Sequence, residues 1–339
     1  MPLVEFTDEG LYCPPADLFI DPWQPVKRAI ITHAHADHAR WGHKHYLAHT
    51  DSEYIMRYRL GEHISLQTLP YGQKINVRGV EISLHPAGHI IGSAQVKLSY
   101  RGESWVVSGD YKLGDDHFCT PFEPVPCHTF ITESTFGLPV YRWKPQEEII
   151  KEIESWWQLN QDNGKTSILS AYSLGKAQRV LSQIRTEIGP VLLHGAVYNT
   201  NQALMRGSVN LPDLPKVYAD TDKQTLRKAL IVAPPSALNS PWINRFRPFS
   251  TGIASGWMNI RGMKRRRAAD RGFTLSDHAD WDELNLAVEA CGAERVYVTH
   301  GYTAVFSRWL KEKGLEAYEV KTLYEGESAE LNPSTDTED

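Results

Sequence analysis

The amino-acid sequence predicts an α/β protein in which one α/β domain is split by an inserted second α/β unit. The chain has 339 residues, which is more than one typical domain contains. Short apolar strands that end in polar turns fill residues 1–135, and the same arrangement returns after about residue 250. Between these stretches strands alternate with helices, which is typical of a parallel sheet covered by helices.

The strands of the first stretch are predicted from runs of β-branched and aromatic residues. In chain order they are VKRAIIT, VEISLHPAGH, AQVKLSY, SWVVSGD and TFITEST. Each run ends in a turn that contains glycine, histidine or other polar residues. Functional sites are usually built at such strand ends.

The middle stretch begins with EEIIKEIESWWQL, whose apolar residues have helical spacing. TSILSAY then predicts a strand and LGKAQRVLSQI a helix, and VLLHGAV and LRKALIVAPPSAL continue the alternation. After it, FTLSDHADWDELNLAVEA and RVYVTHGYTAVFSRWLKEKG each predict a strand, a polar turn and a helix. The predicted organisation is a split domain of residues 1–140 and 250–324, an insertion of 141–249, and a disordered acidic tail of 325–339.

The composition is ordinary for a globular protein, with 41% hydrophobic and 23% charged residues. No run of about 18 apolar residues occurs, and the acidic N-terminus has no apolar signal core, so we expect a cytoplasmic protein that does not contact a membrane.

The four cysteines form no C-x-x-C pair and are expected to be buried thiols. The net charge of −5 argues weakly against a nucleic-acid ligand, although bound metal ions would offset carboxylates included in that charge.

A dense group of metal-ligating side chains follows the first of these strands. The segment ITHAHADHAR holds His33, His35, Asp37 and His38. Packing alone has no use for so many polar groups at a strand end. His33 and His35 can converge on one ion from an extended turn, whereas Asp37 and His38 can face a second ion. Two ions about 3.5–4 Å apart suit in-line displacement at phosphorus, and these ligand types suit Zn²⁺, with Mn²⁺ as the alternative.

Three further candidate ligands lie beside glycine at the ends of apolar strands. They are His89 in PAGHIIGSA, Asp110 in VVSGD and His300 in YVTHG. Each taken alone has an ordinary structural explanation. Together with the first group they supply enough ligands for two ions.

With these motifs in this order, the chain from about Leu18 to His300 resembles the metallo-β-lactamase superfamily. The resemblance implies an αββα sandwich that binds two divalent ions. It implies that the first ion is held by His33, His35 and His89, that the second is held by Asp37, His38 and His300, and that Asp110 bridges both. Asp21, in LFIDP, matches an aspartate that supports the histidine-rich turn from behind the ligands; a simple turn residue is the alternative.

The insertion after FITEST resembles that of the β-CASP nucleases. Glu133, Ser276-Asp277-His278 and Thr299-His300-Gly301 fit that group's acidic residue and two late histidine motifs. GLYCPPADLFIDPWQPVKRAIITHAHADHA and TGIASGWMNIRG resemble the bacterial DNA-ligase-associated exonucleases, which are similar to the DNA cross-link repair nucleases. This resemblance implies a DNA substrate, degradation from a 5′ end, a role in DNA repair, and a functional association with an ATP-dependent DNA ligase and a helicase.

Phosphodiester hydrolysis requires a proton for the leaving oxygen, and a histidine held by a carboxylate near the ions can supply it. His278 paired with Glu133 is the candidate acid, and Asp37 is a catalytic ligand. The expected nucleophile is a hydroxide between the two ions, since metal binding lowers the pKa of water to about 7. A surface histidine beside a helix-capping Asp277 is the alternative for His278.

Contacts with the nucleic-acid backbone are predicted in two places. Ser173 and Lys176 in SAYSLGKAQRVL are expected to cap a helix and hold a phosphate, unless this is an ordinary capped helix. Arg265 and Arg266 belong to the basic segment RGMKRRRAADR, which can follow a phosphate backbone or be a solvated loop. Trp257 is a candidate for stacking on a base, or a core residue.

Four functions compete, and a DNA exonuclease is favoured. An RNA-processing β-CASP nuclease is the first alternative, because His300 resembles the RNA-processing members where many DNA-specific members have valine, although the chain leaves no room for their extra domains. A small-molecule metallohydrolase is disfavoured by the long insertion and the His278 motif. A catalytically inactive binding protein is disfavoured because every expected ligand residue is present.

Overall fold

A computed structural model describes residues 2–207, 209–260 and 269–324. Its contacts divide the chain into two units. One unit runs to Arg142 and resumes at His278, and the other occupies Trp143–Asp277. Among the described residues, no helix combines the length and apolar character that crossing a membrane requires.

The first unit contains a six-stranded sheet whose strands follow chain order. Its strands are β1 (Glu5–Phe6), β2 (Leu11–Cys13), β3 (Leu18–Ile20), β4 (Arg28–Ile30), β5 (His45–His49) and β6 (Leu66–Leu69). The strands β3 to β6 run parallel. The helix α1 (Glu53–Leu60) connects β5 to β6.

A seven-stranded sheet in the order β18-β17-β11-β10-β9-β8-β7 completes this unit. Its strands are β7 (Lys74–Val77), β8 (Val80–Pro86), β9 (Ala94–Tyr100), β10 (Glu103–Val107), β11 (Thr129–Ser134), β17 (Arg295–Gly301) and β18 (Glu316–Glu319). The strands β7 to β10 are antiparallel, and β10, β11, β17 and β18 are parallel.

Two apolar clusters explain the layers of this unit. Ile20 and Ile30 of the first sheet pack with Leu98 and Trp105 of the second, so the two sheets share one buried core. The opposite face of the second sheet packs against two helices, α7 (Trp281–Cys291) and α8 (Thr303–Glu312). This architecture agrees with the predicted αββα sandwich.

The second unit is a parallel sheet in the order β13-β14-β12-β15-β16. Its strands are β12 (Thr166–Ser170), β13 (Val191–Leu193), β14 (Leu230–Ala233), β15 (Phe249–Ala254) and β16 (Arg271–Phe273). Its helices are α2 (Gln146–Asp162), α3 (Lys176–Leu181), α4 (Gly195–Arg206), α5 (Lys223–Lys228) and α6 (Pro235–Leu238). Apolar clusters lie on both faces of the sheet, as its nearly continuous apolar strands require. The α/β character predicted for the insertion is therefore correct.

The insertion ends later than the sequence predicts. The predicted boundary is residue 249, whereas the contacts place it at Asp277. The reason is that β15 pairs with β12, and β16 pairs with β15, so both strands belong to the inserted sheet. The predicted tail of residues 325–339 lies outside the described residues.

Candidate metal centre

Histidines and an aspartate from the ends of four strands meet in one buried cluster. His33 and His35 follow β4, His89 follows β8, Asp110 follows β10, and His300 is next to last in β17. These strands belong to both sheets of the sandwich. The side chains converge because the strands bring their carboxyl ends to the same place.

The Asp110 carboxylate lies at the centre of this cluster. Its Oδ2 is 3.6 Å from His33 Nε2, 3.5 Å from His38 Nε2 and 3.9 Å from His89 Nε2. Its other oxygen, Oδ1, is 3.0 Å from His300 Nε2. The carboxylate therefore contacts histidines predicted for both ions, as a bridging ligand would.

The set predicted for the first ion is compact. His33, His35, His89 and Asp110 each offer one ligand atom, and these atoms all lie within 4.8 Å of one another. Nitrogen and oxygen ligands about 2.0–2.2 Å from a zinc ion fit within that span. All four side chains are buried.

Two members of the set predicted for the second ion also contact Asp110, with His38 beside Oδ2 and His300 beside Oδ1. Asp37 Oδ2 is 3.7 Å from His38 Nε2, and the rings of His38 and His300 have their centroids 6.1 Å apart. The structure thus brings all the predicted ligand residues together in one cluster.

Asp21 supports the histidine-rich turn from behind. Its Oδ1 accepts a hydrogen bond from the Thr32 amide at 2.7 Å, and its Oδ2 accepts from the Thr32 hydroxyl at 2.5 Å and from His38 Nδ1 at 2.7 Å. Because the Thr32 hydroxyl donates to Asp21, it accepts from His33 Nδ1, which is 3.0 Å away. One carboxylate therefore orients a histidine of each ion site.

Gly109 lets the two sheets approach closely beside the cluster. Its backbone has φ of +57°, in the left-handed region. A Cβ atom at this position would lie 2.6 Å from Thr32 Oγ1. The hydrogen bonds of Thr32 therefore require glycine next to Asp110.

The electrostatics of the cluster suit a cation. Burial holds the pKa of His33 well below its ordinary value, which keeps the ring neutral and able to ligate. Burial also lowers the pKa of His38, but the carboxylates of Asp110, Asp37 and Asp21 outweigh it and raise that pKa to about 10. The buried Nε2 atoms of His33 and His38 have no hydrogen-bond partner among the described residues. Divalent cations would satisfy these nitrogens and neutralise the carboxylates, so the residues present fit a metal centre.

His278 and Glu133 form a buried hydrogen-bonded pair beside the cluster. His278 Nδ1 is 2.9 Å from Glu133 Oε2 and 4.0 Å from Asp110 Oδ2. Glu133 Oε1 also accepts from the Tyr111 amide at 2.8 Å, which fixes the carboxylate. Asp110, Glu133 and His278 have the spacing of three metal ligands, but the direct bond between Nδ1 and the carboxylate leaves no space for an ion there. The pair instead has the form of a proton donor held by a carboxylate.

The helix end predicted to hold a phosphate has a different structure, which corrects the capping role expected for Ser173 and the phosphate contact expected for Lys176. The helix α3 is capped by Gly175, whose amide donates to Gln178 Oε1 at 2.7 Å, so Ser173 is not the capping residue. Lys176 is 2% exposed, and its Nζ lies 2.9 Å from Asp277 Oδ1. The buried carboxylate compensates the lysine charge within the inserted unit, because an unpaired buried charge is costly.

The other predicted nucleic-acid contacts have mixed outcomes. Arg265 and Arg266 lie outside the described residues. Trp257 is only 8% exposed, so it is a core residue. Trp41, by contrast, is 76% exposed in the loop after the histidine-rich turn, and the neighbouring Arg40 donates to the Asp37 carbonyl at 3.2 Å. Sequence reasoning missed Trp41 because nothing in its local pattern distinguishes an exposed tryptophan from a buried one.

Sequence reasoning also missed Thr32 and Tyr324. Thr32 is the residue before His33, and its position after an apolar strand gave no indication of its bonds to Asp21. The ring of Tyr324 stacks on His38 with centroids 4.4 Å apart. Tyr324 is separated from the ligand motifs by a helix and a strand, so only the folded structure reveals this contact.

No family model matches the chain, but curated proteins do. A protein named probable DNA ligase from Opitutus terrae is 32% identical over 92% of this chain and 30% of its own length. Cleavage and polyadenylation specificity factor subunit 3 from Dictyostelium discoideum is 29% identical over 34% of this chain and 15% of its own length. Endoribonuclease ysh1 from Aspergillus fumigatus is 31% identical over 35% of this chain and 15% of its own length. The chain thus spans less than a third of each of these relatives.

A solved structure also shares the fold. It is the crystal structure of a protein of unknown function from Enterococcus faecalis, with a TM-score of 0.58 and 11% sequence identity. The match covers 80% of this chain and 74% of the other. At this identity the likeness shows the fold alone.

Proposed function

Since the chain is a relative of the β-CASP nucleases of the metallo-β-lactamase superfamily, we propose that it is a metal-dependent DNA exonuclease. The proposed reaction is hydrolysis of phosphodiester bonds from a 5′ end in DNA repair. The observation that carries the proposal is the ligand cluster around Asp110 together with the His278–Glu133 pair beside it. A nuclease of this type needs both, because it must bind cations and also protonate a leaving group.

We assign the ion sites as the sequence predicts, with Zn²⁺ as the expected metal and Mn²⁺ as the alternative. The first site consists of His33, His35 and His89, the second consists of Asp37, His38 and His300, and Asp110 is shared. When bound, the ions would polarise the phosphate and lower the pKa of a water nucleophile. Asp21 and Thr32 keep the histidine rings in the orientation that this binding needs.

In the proposed reaction His278 is the general acid. Glu133 holds Nδ1 of the ring, so the proton for the leaving oxygen would come from Nε2. The Glu133 carboxylate in turn is fixed by the Tyr111 amide. A fixed ring improves transfer because donor and acceptor must lie within hydrogen-bond reach at the moment of bond cleavage.

DNA is favoured over RNA by the extent of the similarity. The relative named as a DNA ligase matches along 92% of this chain, whereas the relatives named endoribonuclease match along about a third of it. A functional association with an ATP-dependent DNA ligase and a helicase belongs to the same proposal. An RNA-processing nuclease is the second candidate, because several relatives carry the name endoribonuclease and because His300 lies in the cluster.

Contacts with the substrate backbone are proposed for Ser173, Arg265 and Arg266, and Trp41 is an exposed aromatic residue that could stack on a base. Lys176 is assigned a structural role, because Asp277 compensates its charge. The four cysteines are buried and free of disulfides, which supports the proposed cytoplasmic location.

The decisive experiment uses the full chain loaded with Zn²⁺ or Mn²⁺ on matched DNA and RNA strands labelled at either end. Release of mononucleotides from the 5′ end of DNA is the expected result. Cleavage inside RNA would favour the second candidate, and release from a 3′ end would overturn the proposed polarity. A thioester and a β-lactam serve as control substrates, and their hydrolysis without cleavage of either nucleic acid would overturn the nuclease proposal.

A further inference from the structure

The segment after β18 returns to the metal centre. Tyr324 lies flat on the imidazole of His38, with ring centroids 4.4 Å apart and an interplanar angle of 8°. The same ring meets His300 edge-on, with centroids 5.8 Å apart and an angle of 74°. Tyr324 therefore contacts both histidines assigned to the second ion.

Three further contacts hold Tyr324 in this position. Its hydroxyl donates to the Asp21 carbonyl oxygen at 3.0 Å. The Trp23 ring packs edge-on against it, with centroids 5.5 Å apart. The Arg40 guanidinium donates to the Leu323 carbonyl at 3.1 Å, so the backbone of the segment is tied to the end of the histidine-rich turn.

The His38 ring is held from two directions, at its edge by a hydrogen bond and at its face by a stacked ring. The Asp21 carboxylate holds the edge of the ring at Nδ1, at 2.7 Å, and Tyr324 holds its face. The Asp21 bond alone would let the ring rotate about the axis through Nδ1. A stacked neighbour prevents that rotation and keeps Nε2 directed towards Asp110, 3.5 Å away.

We propose that Tyr324 is a positioning residue for the second ion, and that its ring forms a strap that completes this site. The proposal rests on the metal centre of the proposed function and does not depend on the substrate. It assigns the strap to one of the two sites, because none of the described ring contacts of Tyr324 involves His33, His35 or His89.

Removing the stacked ring should weaken the second site selectively. Residues that orient metal ligands typically contribute about 10–100-fold to metal affinity, so Tyr324→Ala is expected to weaken binding of the second ion by roughly 10-fold or more. Tyr324→Phe keeps the ring and loses only the hydroxyl, so it should bind both ions nearly as the wild type does. Leu323→Ala is the matched control, because Leu323 is 59% exposed and contributes its backbone carbonyl.

The experiment titrates metal-free full-length protein with Co²⁺, follows the visible absorption of the bound ion, and confirms the bound metal by elemental analysis. Two binding events at the same Co²⁺ concentrations are expected for the wild type, Tyr324→Phe and Leu323→Ala. In Tyr324→Ala, the weaker event is expected to need a higher Co²⁺ concentration. Thermal unfolding of each metal-free variant shows whether the fold is intact.

Two results would overturn the proposal: unchanged binding of both ions by Tyr324→Ala, or an equal weakening of both events. If the wild type itself bound fewer than two ions, the metal centre and the strap would fail together. If it bound two ions and did not cut DNA, only the proposed substrate would fail.

Discussion

The two units of the chain differ in the partners of their buried polar and charged side chains. In the sandwich, the histidines and carboxylates at the strand ends leave buried nitrogen atoms such as His33 Nε2 without a hydrogen-bond partner among the described residues. In the inserted unit, the buried Lys176 contacts Asp277 at 2.9 Å. The difference teaches that the sandwich presents buried ligand nitrogens that suit cations, whereas in the inserted unit a buried carboxylate compensates the charge of Lys176.

The largest expected effect of a substitution follows from removing a ligand in the sandwich. Asp37→Ala should reduce nuclease activity below detection, because the second ion loses a carboxylate ligand. The Asp37 side chain is partly exposed, at 16%, so the substitution should leave the fold intact, which circular dichroism can verify. Asp51→Ala is the control, since Asp51 is an exposed carboxylate outside the cluster. Near-normal cleavage by Asp37→Ala would disprove the assignment of the second site.

The next effect concerns the proton donor. His278→Ala is expected to slow cleavage by about 10²–10⁴-fold while both ions remain bound. Single-turnover rates and the metal content of the same samples test this. A substrate whose leaving group needs no proton should recover most of the lost rate. If that substrate is cleaved no better than ordinary DNA, His278 has another role.

The ion pair of Lys176 and Asp277 is expected to contribute to the stability of the inserted unit. Lys176→Met removes the ammonium that Asp277 contacts, and breaking a buried pair typically costs about 3–5 kcal/mol. Urea unfolding measures this loss, and the double variant Lys176→Met/Asp277→Leu should recover much of it. The exposed pair of Lys144 and Glu152 provides the control, because Lys144→Met should leave the free energy of unfolding nearly unchanged. Equal losses from Lys176→Met and Lys144→Met would contradict this comparison.

The smallest expected effect concerns the basic segment. Arg265→Ala and Arg266→Ala should each weaken DNA binding moderately. Each should also reduce the slope of log affinity against log salt concentration by about one, since each proposed contact displaces one counterion. Affinity measured across a series of salt concentrations tests this. Arg308→Ala is a suitable control because Arg308 is exposed on α8 and pairs with Glu312. An unchanged salt dependence would exclude these arginines from the interface.

Much of the sandwich could be predicted because its signals are local. The segment ITHAHADHAR follows an apolar strand directly, and His89, Asp110 and His300 each lie beside glycine at a strand end. The alternation of strands and helices in the insertion is equally visible along the chain. Such patterns require only the neighbouring residues, so they are available before the fold is known.

The features that could not be predicted depend on pairs that are distant in sequence. Lys176 meets Asp277, and Tyr324 meets His38. The predicted boundary of the insertion was wrong for the same reason. The apolar run FSTGIA could form a buried strand of either unit, and only its pairing with β12 assigns it to the insertion. Local sequence identifies the chemical groups, and the fold decides which of them compensate one another.

The glycine at position 109 has a consequence for how this protein can be changed in the laboratory or by mutation over time. Because Gly109 has no side chain, Thr32, which follows β4 of the neighbouring sheet, can lie directly against its backbone. Substitutions in exposed loops, such as the one that carries Trp41, can change which ligands are bound without altering this contact. An added methyl group at 109 would collide with Thr32, whose hydrogen bonds support the histidine-rich turn, so changes to this protein are better tolerated in exposed loops than at this position.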